Sequence, residues 1–332
     1  MRLRKWLAAT LRAAWQRTAT VNLIVTRRCD LACSYCRVYG KGYSEISPQQ
    51  WLAIARTLAR RYAVFTVTGG EPLLYRGLPE LVAGLSRLGI VGLCSNVRTL
   101  TEAHLRALPG LDYLNFSIDQ AGDSTASPKD AFGKFALLRE YSRRNSFRLF
   151  GTAVITARNV DTLPDVVRLM AAEQIPLNLQ LVQRPGPEDA FDSAAKLARL
   201  GALQEELLAM KRGGYPIAEP DAYIRGFVAH VEGRAAVPCH AGETYLAIDS
   251  DGRPMPCQDV AAVGASLVEG DIPVKLARLP AAVPEGCRCW WNCYHWYGVW
   301  KSNPLAYLAG YARDRLRVRR RLPATRRESA PG

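Results

Sequence analysis

The chain reads as an α/β protein: a partial (β/α)6 TIM-like barrel followed by a small C-terminal cysteine-rich hairpin/helix extension. Three observations predict this. Strand-type apolar runs alternate with helix-type periodic segments six times between Val21 and Val182, the rhythm of βα units with parallel strands. Six units are too few for an eight-stranded closed barrel, so the barrel is partial and its chemistry belongs in the loops that follow the strands. Beyond residue 235 the rhythm stops, and five cysteines fall between Cys239 and Cys293.

Taken in order, residues 1–19 predict a basic amphipathic helix. Leu3, Trp6, Leu7, Leu11 and Trp15 recur at helical spacing, interrupted by Arg2, Arg4, Lys5, Arg12 and Arg17. Its apolar face is expected to pack on the domain. Residues 20–185 form the partial barrel. A strand at Val21–Val25 enters a cysteine loop, and Ser47-Pro48-Gln49-Gln50 then starts a helix with a cap, a first-turn proline and a capping-box glutamine. A strand at Val64–Val67 runs into Thr68-Gly69-Gly70-Glu71-Pro72. Helices near Pro79–Leu88 and Glu102–Leu108 flank a strand at Ile90–Cys94, in which Cys94 reads as a buried apolar residue. Further strands fall at Tyr113–Ile118, Arg148–Ile155 and Leu177–Val182, separated by helices at Phe132–Arg144 and Leu163–Gln174. Residues 186–235 read as a helical connector, with Leu200, Leu203, Leu207 and Leu208 in phase. In 236–300, Thr244–Asp249 and Arg253–Pro256 make a hairpin around Ser250-Asp251-Gly252. Residues 301–332 form a C-terminal helix and basic tail.

At 332 residues and 48% hydrophobic, the chain can bury a large core. No continuous apolar run is long enough for a transmembrane segment, and nothing resembles a secretory signal. Nine cysteines is an odd number, and eight of them lie in two tight groups. In such a chain that favours metal ligation in a reducing cytoplasm over disulfides, so a cytoplasmic location is expected. The net charge of +14 sits at the ends. Residues 1–30 carry seven Lys/Arg against Asp30, and residues 311–332 carry eight Arg against Asp314 and Glu328, leaving +2 between. The run Arg315 to Arg321 reads as a solvated helix end that can touch RNA or anionic lipid; nucleic acid is not the expected partner.

Cys29, Cys33 and Cys36 stand at C-x3-C-x2-C spacing. Three thiolates this close can fold over one metal centre. A structural zinc site takes four protein ligands, and no fourth Cys or His follows within about forty residues. A [4Fe–4S] cluster also normally takes four cysteines, so three leave one iron open. On the triplet alone, zinc and cluster both stand.

The triplet after the first strand, joined to Gly-Gly-Glu-Pro at the end of the second, resembles the radical S-adenosylmethionine (SAM) superfamily across roughly residues 20–185. The resemblance implies that Cys29, Cys33 and Cys36 hold a [4Fe–4S] cluster whose fourth iron is chelated by SAM. It implies that Gly69, Gly70 and Glu71 face the methionine ammonium and that Tyr35 lies beside the adenine. Ser117 and Asp119 would contact the ribose and methionine moieties, with Asn96 a further candidate in the same pocket. The activity implied is reductive cleavage of SAM to a 5′-deoxyadenosyl radical that abstracts hydrogen from a peptide or small-molecule substrate. A one-electron reductant of flavodoxin or ferredoxin type would serve it.

Cys239 and Cys257, on either side of the hairpin, resemble the opening of the SPASM/twitch extension. A full extension has seven cysteines and this chain offers five, so the resemblance implies one auxiliary [4Fe–4S] cluster, held by Cys239, Cys257 and two of Cys287, Cys289 and Cys293. A four-cysteine zinc site is the alternative. His240 and His295 neighbour these cysteines, and Trp290, Trp291, Trp296 and Tyr297 are expected to shield the cluster. Asp259 lies near where relatives place a proton acceptor. His104 and His230 carry no signal of their own. Few residues precede the first strand, so a peptide substrate would call for a separate peptide-recognition protein or none. Two other functions compete: an RNA-modifying radical SAM enzyme using the basic termini, and a non-catalytic metal-binding scaffold.

Overall fold

Parallel strands laid side by side in chain order make the frame of the molecule. The structure is a computed structural model and describes residues 4–9, 11, 18, 20–36, 38, 44–121, 131–183, 185–235, 241–242, 244–258, 260, 262, 264–268, 272, 287, 289–292, 295, 298 and 304–321. Strands β1 (Thr20–Ile24), β2 (Val64–Thr68), β3 (Ile90–Ser95), β4 (Tyr113–Ser117), β5 (Arg148–Ile155) and β6 (Leu177–Leu181) pair parallel with their chain neighbours. The sheet then continues past β1. Strand β7 (Tyr245–Ile248) pairs parallel with β1, and β8 (Pro254–Met255) returns antiparallel to β7. The order is β6-β5-β4-β3-β2-β1-β7-β8, an open arc of eight strands. The hairpin of the cysteine-rich extension is therefore the edge of the barrel sheet. Without it, β1 would present a row of unpaired N–H and C=O groups.

Helices α1 (Pro48–Leu58), α2 (Leu78–Leu85), α3 (Glu102–Arg106), α4 (Phe135–Asn145) and α5 (Leu163–Ala172) follow strands 1 to 5 in turn. The capping box at α1 is formed: Ser47 Oγ accepts from Gln50 N, and Gln50 Oε1 accepts from Ser47 N at 2.8 Å. His104 does the same work at α3, where its ring reaches back to Thr101. Val21, Leu23, Phe65, Val67, Leu93, Leu114, Phe116, Ala153, Ile155, Leu179 and Leu181 are all fully buried in one core with the covering helices.

Successive strand residues point to opposite faces, and here the opposite face is polar. Register places Asn22 beside Thr66, Cys94 beside Asn115, Ser117 beside Thr152, and Thr152 beside Asn178. Thr152 Oγ1 donates to Asn115 Oδ1 at 2.8 Å, and Asn115 Nδ2 lies 3.9 Å from Cys94 Sγ. Cys94 is thus half-buried among polar neighbours rather than packed in the apolar core. Burial pushes its thiol up to about 12.

The lower end of this face is closed. Any side chain at Gly92 would collide with the Tyr113 ring, so glycine lets Tyr113 cross to Thr66, its hydroxyl 2.6 Å from Thr66 Oγ1. Trp6, from the helical segment 4–9, packs against Tyr113 at 6.4 Å, and the Arg148 guanidinium stacks on Trp6 at 4.5 Å. Lys5 Nζ bonds Asp112 Oδ2 at 2.5 Å. Packing of the first helix on the domain holds for Trp6 and fails for Leu7 and Leu11, which stand 56% and 70% exposed.

The connector comprises α6 (Ala194–Arg212), α7 (Asp221–Arg225) and α8 (Phe227–Val231), and α9 (Pro304–Arg321) lies against α6. The buried Lys211 ammonium joins them, 2.8 Å from Asp314 and 3.2 Å from Asp221.

Candidate active and cofactor site

The cysteine loop leaves β1 at the C-terminal end of the sheet, and strand-like pairing carries on beyond the strands. Val25 N donates to Thr68 O at 2.9 Å, Gly70 N to Thr26 O at 2.8 Å, and Glu71 N to Arg28 O at 2.8 Å. A Cβ at Gly69 would strike the Thr26 carbonyl oxygen, and one at Gly70 that of Arg28. The two glycines therefore let the β1 and β2 loops lie backbone against backbone. Both arginines ahead of Cys29 are anchors. Arg27 grips the Asp249 carboxylate with Nε, at 2.9 Å, and with Nη2, tying the loop to the end of β7. Arg28 grips Glu45 with Nε and Nη2 at 2.7 and 3.0 Å and also donates to Leu74 O. Such two-point guanidinium–carboxylate contacts fix direction as well as distance.

Glu71 is fully buried and fully bonded. Its Oε1 accepts from Leu73 N and Ser95 Oγ, both at 2.9 Å, and its Oε2 from Asn96 N at 2.8 Å. Burial raises its pKa to about 7, against the lowering effect of those donors. Asn96 passes the contact onward. Its Nδ2 donates to Asp30 Oδ1 at 2.8 Å and lies 3.8 Å from Cys29 Sγ, which also takes Leu31 N at 3.4 Å. The ends of β2 and β3 thus converge on the first cysteine.

On the other side of the loop, the Tyr35 hydroxyl donates to Asp119 Oδ2, and Asp119 Oδ1 accepts from Val154 N at 3.0 Å. Burial and the Asp119 carboxylate hold the Tyr35 phenol far above its usual range. Ser117 ends β4 on the polar face, half-buried and level with Thr152. Ser34 donates to the buried Asp189 in the loop after β6. Arg158, after β5, binds Asp189 Oδ1 with Nε and Ser34 Oγ with Nη2, both at 3.0 Å. Asp30, Ser34, Arg27, Arg28, Arg158 and Asp189 all escape the sequence reading. The two arginines adjoin Cys29 and carried a local signal. The Ser34–Asp189 contact spans 155 positions and carried none.

Cys29, Cys33 and Cys36 are half-buried, with Cys36 N bonded to Cys33 O at 3.0 Å. Among the described residues, no three His, Cys, Asp or Glu side chains converge as ligands of a single ion. The donor set nonetheless suits thiolate ligation of a cluster, which holds one sulfur per iron. Burial pushes Cys29 up to about 11, while Leu31 N–H favours the thiolate, and metal binding supplies the remaining driving force for deprotonation. Asp30 Oδ2 is buried without a hydrogen-bond partner, 4.0 Å from Arg98 Nε. An anionic oxygen left open beside the thiols fits a cationic ligand.

In the second cysteine region, Cys257 is buried after β8, and Cys289 packs against the same small apolar cluster, which holds Ile24, Tyr245 and Met255. Cys287 is half-buried. Cys239, Cys293, Asp259, His240, Trp296 and Tyr297 lie outside the described residues. Trp290, expected to shield a cluster, belongs to the main core. It stacks between Tyr223 and His230, with centroids at 5.9 and 5.2 Å, and His295 is 5.2 Å away. Burial lowers the His295 pKa to about 4. The backbone here docks on β6 and the residues after it: Trp290 N donates to Gln183 Oε1 and Asn292 N to Gln180 Oε1, both at 2.9 Å. Asn292 Nδ2 donates to the buried Glu219 at 3.1 Å.

An open parallel arc with a cysteine loop after its first strand defines a class, and residues 23–170 match the model of the Radical SAM superfamily. The chain is similar to that superfamily over those residues, which make up under half of its length. It is 33% identical over 199 residues to a probable GTP 3',8-cyclase of Methanopyrus kandleri, covering 56% of this chain and 63% of that relative. It is 28% identical over 265 residues to a PqqA peptide cyclase of Rhodopseudomonas palustris, 69% of each chain. The crystal structure of Streptococcus suis SuiB bound to S-adenosylmethionine matches with a TM-score of 0.63 and 14% identity, over 83% of this chain and 71% of SuiB. A structure of anSMEcpe with bound AdoMet matches with a TM-score of 0.58 and 15% identity, over 80% and 81%. These likenesses agree with the partial barrel.

Proposed function

We propose that this protein is a radical SAM enzyme that abstracts hydrogen from a peptide, with one auxiliary cluster. The observation that carries the reading is the meeting, at one end of the sheet, of the Cys29–Cys36 loop with Gly69–Glu71, Asn96 and Asp119. When bound, the cluster and SAM supply one-electron cleavage of a sulfonium and a carbon radical able to attack a C–H bond. Cys29, Cys33 and Cys36 would hold that cluster. Asp30 Oδ2 and the glycine loop would receive the methionine ammonium, while buried Glu71 holds the loop and Asn96 in place. Tyr35, Ser117 and Asp119 would bound the nucleoside side. Tyr113 and Trp6 would seal the floor against water.

Cys257 and Cys289, which share one apolar cluster, would join Cys239 and one of Cys287 and Cys293 around the auxiliary cluster, with Asp259 as a proton acceptor. Residues 20–185 would form the catalytic unit and 236–300 the auxiliary one. The peptide class is supported by the PqqA peptide cyclase relative and by the SuiB structure bound to precursor peptide SuiA.

The test is anaerobic. Reconstituted protein given dithionite and SAM should release 5′-deoxyadenosine and methionine, faster with short peptides encoded beside its gene. Protein with intact clusters that releases none, with peptide or GTP, would sink the proposal. Stimulation by GTP alone would leave the radical chemistry standing and overturn the peptide class.

A further inference from the structure

Helix α9 is built inside out. The side facing α6 and the turn after it is charged: Asp314 bonds Lys211, Arg321 Nη1 donates to Gly213 O, and the Arg321 guanidinium lies 3.6 Å from the Tyr215 ring centroid. On a helix of 3.6 residues per turn, the opposite side carries Leu305, Ala309, Ala312 and Leu316 at i, i+4, i+7 and i+11. All four are exposed, Leu305 by 79% and Leu316 by 57%. Arg313 and Arg320 flank this seam on one side and Arg315 on the other, all three exposed.

The segment 4–11 repeats the pattern. Lys5 and Trp6 turn inward to Asp112 and Tyr113, while Arg4, Leu7, Ala8 and Leu11 stand exposed. Among the described residues, the large hydrophobic side chains left exposed are Leu7, Leu11, Leu305, Tyr311 and Leu316, all in these two helices. The last turn of α9 and the segment 4–11 lie toward the edge where the strands begin, since Tyr215 leads to Ile217, which bridges to Leu177 at the start of β6. The cysteine loop is at the other end.

A helix that merely covers α6 would turn its leucines inward. We propose that α9, assisted by the segment 4–11, lies on an anionic lipid surface. Leucines would enter the headgroup boundary and the flanking arginines would pair with lipid phosphates. Nucleic acid would use the arginines but has no call for a leucine seam, so the apolar residues decide for lipid.

The experiment is co-sedimentation of the full chain, carrying its clusters in oxygen-free buffer, with phosphatidylcholine vesicles and with vesicles that also contain phosphatidylglycerol. Binding is expected to the anionic vesicles only. It should fall roughly tenfold in Leu305→Ser/Leu316→Ser and also on Arg315→Glu/Arg320→Glu. These side chains are solvent-exposed, so circular dichroism and SAM cleavage should not change. Failure to sediment with anionic vesicles overturns the proposal. So does undiminished binding of the leucine variant, above all if single-stranded RNA binds equally well, because the surface would then be purely electrostatic.

Discussion

Around Cys29–Cys36 the chain is held by charge; around Cys287–Cys289 the described residues are held chiefly by the burial of Trp290. The first loop is tied to separate elements through Arg27–Asp249, Arg28–Glu45, Asn96–Asp30 and Ser34–Asp189–Arg158. Several of these contacts are partly solvated, where an ion pair contributes little stability alone but fixes direction. In the second segment, Trp290 fills the core between Tyr223 and His230, and its backbone docks on Gln180, Gln183 and Tyr223. The difference teaches that the first loop should tolerate loss of one anchor, whereas, among the described residues, the second leans most on Trp290.

The broadest break removes one side entirely. Cys29→Ala/Cys33→Ala/Cys36→Ala should abolish 5′-deoxyadenosine formation, read by chromatography, and leave about four irons on the auxiliary site. A variant that keeps no iron would deny that the two segments load independently. Next, Trp290→Ala should cost about 3–5 kcal/mol in denaturant unfolding and strip iron from the second site, while the first still loads. Gly70→Ala, whose methyl meets the Arg28 carbonyl oxygen, should cost about 1–3 kcal/mol by overpacking, and slow SAM cleavage. Arg28→Ala should cost under about 1 kcal/mol, since its side chain is 40% exposed. A loss comparable to Trp290→Ala would erase the contrast.

The smallest effect tests Glu219, which receives Asn292 and leaves Oε2 without a hydrogen bond. Burial raises its pKa from 4.5 to about 7, so the folded state favours the protonated form. Its contribution is present in full below about pH 4.5 and is lost as pH rises through 7. Wild-type protein should therefore lose stability across that window relative to Glu219→Gln, measured by unfolding at each pH. Parallel pH profiles would show that the carboxyl titrates in the fold as it does in the unfolded chain.

Much of this was legible in the residues. Ser47 and Gln50 announce the start of α1, and the run Arg148–Ile155 gives β5 within its observed bounds. The joint placement of Cys29, Cys33, Cys36 and Gly69-Gly70-Glu71 marks the end of the sheet where they gather. Other features were not. Gly69 and Gly70 were expected to face a ligand, and nothing local announced that they also lay two backbones together at Thr26 and Arg28. Trp290 suggested a cluster shield and is a core anchor. Cys94 suggested an apolar site and lies on a polar sheet face.

The alternation of strands and helices, and the triplet spacing, are properties of neighbours in the chain. Periodicity and short spacers act within a few residues, so the sequence alone determined the open α/β arc and its cysteine loop. Which strand would cover the β1 edge, which acid would hold Ser34, and which way α9 would turn its leucines depended on partners far away in sequence. Those choices rest on burial and pairing that exist only once the chain has folded, so only the tertiary structure decided them.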